Sequence, residues 1–239
     1  MKIFSKYIAL SLAVLLLSCK EDKATPKVTY DKTILPRSES VVAESKILVA
    51  DLPVQMVGTN YLLYPIGEFS VSDKNSSKYS GLERSSFTVS NASENEITGY
   101  LSNFKFQLIG SDSLKVLTDK PILIERVTYL KSIAEKTKKQ FLVYILEDMD
   151  SNKDGKLDSN DIRDLYISDI SGENFTKLSK DFHELIDWNV IDSQNRLYFR
   201  TIEDINKNGA FDKDDKVHYQ YVDLISKELK VVQYTIVNQ

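Results

Sequence analysis

The second half of the chain alternates short apolar runs with longer polar stretches. The apolar runs are rich in β-branched and aromatic residues, as in 141–146 and 217–222, and this composition favours strands over helices. They form two groups of four that follow each other along the chain. The first group is 122–129, 141–146, 165–170 and 175–178, and the second is 184–191, 197–202, 217–224 and 230–235. Each group predicts a four-stranded antiparallel meander.

The polar stretch between the second and third strand of each group carries the same twelve-residue pattern. The first copy spans 150–161 and the second spans 204–215, so the two copies start 54 positions apart. Side chains with oxygen atoms stand at positions 1, 3, 5, 9 and 12, and glycine stands at position 6. The first copy supplies Asp150, Asn152, Asp154, Asp158 and Asp161, with Lys156 at position 7; the second supplies Asp204, Asn206, Asn208, Asp212 and Asp215, with Ala210 at position 7.

This spacing has a chemical reason. Alternate side chains of such a loop converge on one ion, the backbone carbonyl at position 7 adds another oxygen, and glycine allows the sharp turn between them. The pattern resembles the EF-hand calcium loop, with Asp in place of Glu at position 12. Strands, rather than the usual helices, are predicted on both sides of each loop. The sequence therefore predicts two Ca²⁺ sites inside β-hairpins; the alternative is two long, solvated loops.

The repeat extends beyond the loops. The same offset of 54 pairs residues of like character, and it indicates two repeated supersecondary units over about 122–178 and 179–235. The matched pairs are Tyr144 with Tyr198, Leu157 with Phe211, Asp169 with Asp223 and Leu178 with Val232.

The stretch 165–179 resembles the TolB-like β-propeller repeat, because a strand ends in an Asp- and Gly-containing turn and a Leu-Ser pair closes the outer strand. A degenerate copy lies at 104–118, and 70–98 is predicted to be a long surface insertion. The resemblance implies an all-β domain over 41–239 that forms a β-propeller-like array of about three four-stranded antiparallel blades. Closed propellers need four or more blades, so a β-sandwich is the alternative.

The N-terminus has the features of an export signal. Lys2 and Lys6 precede an apolar stretch, 8–17, that is too short to span a bilayer, and Ser18 and Cys19, the chain's single cysteine, follow it directly. This arrangement resembles the bacterial lipobox, which implies cleavage after residue 18 and a lipid on Cys19. We therefore expect a signal peptide over 1–18 and a lipidated flexible tether over 19–40.

The residues after the cysteine indicate a location. Lys20, Glu21 and Asp22 resemble the export signal that carries lipoproteins of the Bacteroidetes type to the outside of the outer membrane. The resemblance implies a lipid-anchored protein of the bacterial outer membrane at the cell surface. An anchor that faces the periplasm is the alternative.

The net charge and the lack of catalytic motifs reduce the number of functions that the sequence supports. The net charge is −4, and no Lys/Arg cluster forms a nucleic-acid footprint; the basic run at 136–139 is predicted to be a hairpin turn. His183 and His218 are the only two histidines, and they fall in different parts of the repeat. His218 is predicted to lie on a sheet surface and Trp188 in the core. Because no nucleophile or zinc motif is present, no enzyme activity is expected.

The sequence thus predicts a non-catalytic, calcium-binding, membrane-anchored bacterial lipoprotein, a surface binding or scaffold protein with a protein or glycan partner. One alternative is a propeller-type hydrolase or lyase, or a glycan-handling subunit. The other is a dockerin-like adhesion module, but dockerins place helices after their paired loops and hold the loops closer together.

Replacing Cys19 tests the anchor. Cys19→Ala should leave the protein unprocessed or release it from membranes, because it loses acyl chains that each contribute about 0.8 kcal/mol per buried CH₂. Detergent partitioning and palmitate labelling measure both effects. Ser18→Ala keeps a small residue before the cysteine and is the matched control. A Cys19→Ala protein that is still processed and membrane-bound would contradict the prediction.

Overall fold

The computed structural model describes residues 26–30, 45–71 and 88–237. Cys19 and the segment Lys20 to Asp22, on which the predictions of anchor and location depend, lie outside the described residues. Thirteen strands follow one another along the described chain, with helix α1 (Lys131–Thr137) between the sixth and seventh. The strands are β1 (Ser45–Ala50), β2 (Tyr61–Val71), β3 (Ser90–Ala92), β4 (Glu96–Leu108), β5 (Leu114–Val116), β6 (Leu123–Tyr129), β7 (Phe141–Glu147), β8 (Asp164–Asp169), β9 (Thr176–Lys177), β10 (His183–Ile191), β11 (Arg196–Glu203), β12 (Lys216–Asp223) and β13 (Val231–Tyr234).

The strands form two antiparallel sheets, which confirms the all-β prediction. The first sheet has nine strands in the order β1-β2-β4-β6-β7-β8-β9, and β3 and β5 both pair with β4. The second has four strands in the order β10-β11-β12-β13. Both predicted meanders are present, as β6 to β9 and as β10 to β13. In each of them, consecutive strands are neighbours, and the predicted metal loop joins the second strand to the third.

The upstream strands differ from the expected blade. The long strand β4 pairs with β2 on one side and β6 on the other, so these strands extend the first sheet. The stretch 104–118 contains the end of β4 and the whole of β5, which pair as a hairpin. Residues 88–98, predicted to belong to an insertion, include β3 and the start of β4 instead. That part of the prediction is wrong, and 72–87 lie outside the described residues.

The basic run at 136–139 is not a hairpin turn. Helix α1 ends at Thr137, and Lys138 caps it with a left-handed backbone (φ 66°). The helix buries Ile133 and Ala134, so packing of its apolar side stabilises a segment that is too short to be helical alone.

The core consists of two clusters that share strand β7. Leu142, Tyr144 and Leu146 point into the first cluster, and Phe141 and Val143 point into the second. The run 141–146 is apolar throughout because successive side chains of a strand point to opposite faces, and both faces of β7 are buried. The second cluster joins the two sheets, and Trp188 packs against it as expected. Its residues include Leu165, Ile167, Leu185, Leu197, Phe199 and Val222.

The two repeats are not superimposable along their whole length. Val143 pairs with Ile167, whereas Leu197, which is 54 positions later, pairs with Val222, so the ladder has slipped by one residue. The connection from β6 to β7 contains α1, whereas β10 and β11 are joined by a short turn. The sequence repeat is therefore strictest in the loops. No helix among the described residues is long and apolar enough to cross a membrane.

A buried carboxyl group ends β7. Glu147 has no solvent exposure, and it pairs with Leu123 across the ladder. Burial, followed by the charge and hydrogen bonding of Glu125, raises the pKa of Glu147 to about 9. A carboxyl group in a medium of low polarity keeps its proton, so Glu147 is neutral in the folded protein at pH 7.

Glu147→Gln should therefore stabilise the protein more at pH 8 than at pH 5. The folded protein keeps the Glu147 proton up to about pH 9, but the unfolded chain loses it above the ordinary pKa of 4.5. Wild-type stability consequently falls as pH rises between these values, by at most about 1.4 kcal/mol per pH unit. Glutamine has no proton to lose. Urea unfolding at both pH values measures the difference.

The exposed Glu135 on α1 supplies the control, and Glu135→Gln should show no such pH-dependent gain. If Glu147→Gln and wild type differ in unfolding free energy by the same amount at pH 5 and pH 8, Glu147 does not retain its proton.

Candidate metal centres

The two predicted loops are built by the same hydrogen bonds. At position 1, the Asp150 carboxylate accepts hydrogen bonds from the backbone N–H groups of Asp154 (3.1 Å) and Gly155 (2.9 Å). In the second loop, Asp204 accepts from Asn208 (3.2 Å) and Gly209 (2.8 Å). The carboxylate at position 1 therefore holds the centre of each loop in the same way.

Positions 3, 5 and 9 form local turns. Each side-chain oxygen accepts a hydrogen bond from the backbone N–H two residues later, which is the Asx turn that short polar side chains favour. The bonds of the first loop run from Asp154 to Asn152, from Lys156 to Asp154 and from Asn160 to Asp158, each 2.9 Å. Those of the second run from Asn208 to Asn206 (2.9 Å), from Ala210 to Asn208 (2.8 Å) and from Asp214 to Asp212 (2.8 Å).

The aspartate at position 12 closes each loop. Asp161 accepts hydrogen bonds from Ser151 N–H (2.8 Å) through Oδ1 and from Asp158 N–H (3.0 Å) through Oδ2. Asp215 accepts from Ile205 N–H (3.2 Å) and Asp212 N–H (2.9 Å) in the same way. One carboxylate thus links the beginning of the loop to its end.

The backbone follows the same turn in both loops. Residues at position 4 (Lys153, φ 61°; Lys207, φ 58°) and at position 6 (Gly155, φ 85°; Gly209, φ 83°) have left-handed conformations. Glycine adopts this conformation without steric cost. The repeated conformation explains why glycine stands at position 6 in both copies.

All the predicted ligands of each copy lie on a single loop. The donor set is four carboxylates and one amide in the first loop, and three carboxylates and two amides in the second. Lys156 and Ala210 stand at the positions that contribute backbone carbonyls. An all-oxygen set of this kind fits Ca²⁺, a hard cation that takes six to eight oxygen ligands.

Part of the predicted flexible tether, residues 26–30, lies against both loops. Thr29 donates its backbone N–H to Ser151 O (2.9 Å) and its hydroxyl to Asn152 O (2.8 Å), while Ser151 Oγ donates to Lys27 O (2.7 Å). On the other side, Lys27 N–H donates to Gly209 O (2.7 Å). Val28 is only 2% exposed. The segment 26–30, termed the clamp below, therefore connects the first loop to the second.

Charged and aromatic contacts also hold the clamp. Lys27 forms an ion pair with Glu184 (2.9 Å), which Arg163 also contacts (2.9 Å). The Tyr30 ring packs against Phe182, with centroids 6.3 Å apart. Burial and the neighbouring Asp204 raise the pKa of Tyr30 to about 12. In the sequence, only a short β-prone run after Pro26 indicates that this segment is ordered. That run does not indicate which part of the domain the segment contacts.

A group of side chains beside the second loop is not among the predicted site residues. His183, Glu203 and His218 each offer one ligand atom, and these atoms lie within 4.8 Å of one another. Burial, together with the charge of His218, lowers the pKa of His183 to about 4, and a hydrogen bond from His218 lowers the pKa of Glu203. His218 is part-buried in this group, so the prediction that it is a simple sheet-surface residue is wrong.

The pairing of neighbouring strands brings the three residues of this group together, and only knowledge of the strand register could have revealed it. His183 pairs with Glu203 across β10 and β11, and His218 pairs with Thr201 across β11 and β12. These residues stand at the loop-proximal ends of three neighbouring strands, and they meet although the histidines are 35 positions apart in sequence.

The first sheet has different chemistry at the corresponding end. Lys177 Nζ lies 2.9 Å from both Asp148 and Asp164. Asp164 is 1% exposed, and burial raises its pKa to about 7 although Lys177 opposes the shift. Tyr166 donates a hydrogen bond to Asp148 (2.6 Å). Here an internal ammonium group, rather than imidazoles, faces the carboxylates.

No protein-family model matches the chain, and no curated protein sequence matches it.

Alanine substitutions at Gly155 and Gly209 distinguish the contact with the clamp from the turn conformation that both loops share. A Cβ at Gly209 would lie 2.5 Å from Val28 O and 2.9 Å from Pro26 Cβ, whereas a Cβ at Gly155 meets nothing within 4 Å. Both alanine variants should lose roughly 1–2 kcal/mol of stability because both glycines have positive φ, and Gly209→Ala should lose more because its Cβ also clashes with the clamp. Only Gly209→Ala should displace the clamp, and limited trypsin digestion should then cut after Lys27 faster. Equal cleavage of Gly155→Ala and Gly209→Ala would show that the clamp does not depend on this contact.

Proposed function

We propose that this protein is a non-catalytic, calcium-binding lipoprotein, anchored in a bacterial outer membrane through Cys19, whose β-sheet domain is a surface binding or scaffold module for a protein or glycan partner. One observation carries the proposal. Two loops that start 54 positions apart carry oxygen donors at the same five positions and share their hydrogen bonds and their turn conformation, as the matching hydrogen bonds of Asp150 and Asp204 illustrate. Repetition of an all-oxygen donor set in one geometry supports the same ligand in both.

The calcium ions would have a structural role. Strands flank each loop on both sides, β7 and β8 for the first and β11 and β12 for the second. EF-hand sensors respond to calcium by opening a pair of helices, whereas here the ion would fix the ends of a hairpin. The flanking strands also weigh against a dockerin-like module.

The charges of the loops predict an order of affinity. The first loop has one more carboxylate than the second, so it should bind Ca²⁺ more tightly, because ligand charge tunes the affinity of such sites. Aspartate at position 12 is one methylene shorter than glutamate, which should weaken both sites. Extracellular modules function with dissociation constants of about 10⁻⁴ to 10⁻³ M, so weak sites are compatible with a surface location.

The clamp supports an orientation relative to the membrane. It begins at Pro26, seven residues after Cys19, and seven extended residues span at most about 25 Å. A lipid on Cys19 would therefore hold the end of the domain that carries both loops close to the bilayer. The outer-membrane anchor is part of the proposal, with a periplasm-facing anchor as the alternative; protease added to intact cells distinguishes the two.

The propeller-like arrangement is also part of the proposal. The meanders β6 to β9 and β10 to β13 have the strand order of propeller blades, and the first contains the stretch that resembles a TolB-like repeat. The upstream strands join the first sheet, and the second core cluster packs one sheet against the other. These two features support the β-sandwich alternative.

A second candidate function has one supporting observation. Hydrolases and lyases use convergent histidines and carboxylates, and His183, Glu203 and His218 converge. We place this candidate below the binding module because the side chains of His183 and His218 are only 4% and 11% exposed, which leaves a substrate little access to them.

Calcium should raise the melting temperature of the protein. A ligand that binds only the folded state stabilises it by about 2.7 kcal/mol at a hundredfold excess over Kd, which corresponds to roughly 5–10 °C for a chain of this size. Asp150→Ala should remove most of the shift and Asp204→Ala a smaller part. Calorimetric titration should find two sites, and each variant should lose one. Asp112→Ala, at an exposed position outside the loops, should behave as wild type.

Absence of calcium binding by calorimetry, or a melting temperature that does not respond to chelator, would end the calcium proposal. If the Asp112→Ala control loses as much of the calcium shift as Asp150→Ala, the ions bind by surface charge and the loops are not the sites.

A further inference from the structure

We propose that His183, Glu203 and His218 bind one divalent transition-metal ion of the zinc type at the loop-facing end of the second sheet. The ligand atoms would be Nε2 of both histidines and one carboxylate oxygen of Glu203. This site is distinct from the two oxygen-rich loops, and the proposal does not rest on calcium binding there.

The first argument is convergence. Both Nε2 atoms face the same oxygen, Glu203 Oε2, at 2.7 Å from His218 and 3.9 Å from His183. A tetrahedral ion with bonds of about 2.0–2.1 Å holds its ligand atoms about 3.3 Å apart. The two distances lie on either side of that value. Small rotations of the three side chains would therefore produce ligand geometry without moving the strands.

The second argument is the orientation of the rings. A metal-bound histidine usually hydrogen-bonds through its other ring nitrogen to a group that fixes its orientation. Nδ1 of His183 lies 3.4 Å from Thr201 Oγ1, and Nδ1 of His218 lies 2.9 Å from the Gln233 amide. A half-turn of that amide presents its oxygen as the acceptor. Nδ1 of each ring thus has a hydrogen-bond partner, while both Nε2 atoms remain directed at Glu203.

The third argument is the choice of ion. Two neutral imidazoles and one carboxylate suit zinc, copper, nickel or iron, whereas calcium prefers oxygen ligands alone. The carboxylate leaves a net positive charge on a bound divalent ion. Glu203 is 37% exposed, so an ion can reach the group from solvent. Lys180 is the cation whose charge acts on both His183 and Glu203, and it opposes binding to some extent.

The rigidity of the support favours a defined site. The three residues stand on adjacent strands, and the pairs His183–Glu203 and Thr201–His218 fix their relative positions. Glu203 also directly precedes Asp204, position 1 of the second loop. Three protein ligands leave one position of a tetrahedral ion open, which a water molecule can take.

The test is a zinc titration of the full-length protein in detergent, with millimolar calcium present to saturate the loops. Calorimetry should find one equivalent of zinc. His218→Gln and Glu203→Gln should each lower zinc affinity by at least about tenfold, as even loss of an outer hydrogen bond costs about 10–100-fold. Thr201→Val tests the outer contact and should weaken zinc binding without abolishing it.

Two controls identify the site. Asp150→Asn alters the first calcium loop, and Glu228→Gln alters an exposed ion pair with Lys230; both should bind zinc as wild type does. No zinc binding by wild type, or binding that survives His218→Gln and Glu203→Gln undiminished, overturns the proposal. Loss of zinc binding in Asp150→Asn also overturns it, since the ion would then occupy a loop.

A measurement on wild type keeps the test valid if the variants fail to fold. The chain contains only two histidines, and both belong to the proposed site. One equivalent of zinc should therefore shift the side-chain nitrogen NMR signals of both imidazoles, with Nε2 ligated and Nδ1 protonated in each. Histidine signals that do not respond to zinc would overturn the proposal independently of any substitution.

Discussion

One aspartate closes each of the two long loops. The structure of the loop-bearing end of the domain depends on this closure. A twelve-residue connection between antiparallel strands costs more closure entropy than the usual short turn. Asp161 offsets this cost by accepting backbone hydrogen bonds from both ends of its loop, although its side chain is fully buried. Burial of an ionised carboxylate is unfavourable without compensating partners. A bound cation would add to the compensation that the amide groups supply, which links the fold of the loops to the proposed calcium sites.

The clamp extends this dependence to the N-terminal segment. It contacts carbonyl groups of Ser151 and Asn152 in the first loop and of Gly209 in the second, so its hydrogen bonds involve the backbone of both loops. Lys27 meanwhile contacts Glu184, a carboxylate of β10 that is 6% exposed. The clamp therefore contacts both loops and the second sheet. Under the proposed function, the calcium sites and the membrane anchor are connected through these five residues.

Local patterns made the strands and loops predictable from the sequence. The run 141–146 is β-branched, aromatic and long enough for a strand, and the loop spacing reflects the geometry of one ion, so both follow from neighbouring residues. Sheet membership does not follow, because pairing of β4 with β2 and β6 depends on contacts distant in sequence. Helix α1 spans only seven residues and has no side-chain cap at its N-terminus. Its conformation depends on packing of Ile133 and Ala134, which no local pattern reveals.

The histidine group shows why part of the site escaped prediction. His183 and His218 do not match each other at the offset of 54, so the repeat conceals their relation; only the ladder places both beside Glu203. The first sheet neutralises its loop-proximal carboxylates internally, since Lys177 contacts Asp148 and Asp164. The second sheet offers imidazoles and a half-exposed carboxylate at the same end. Two units with nearly identical loops thus differ in the source of positive charge: the first carries a lysine of its own, and the second, under the inference above, takes an ion from solvent.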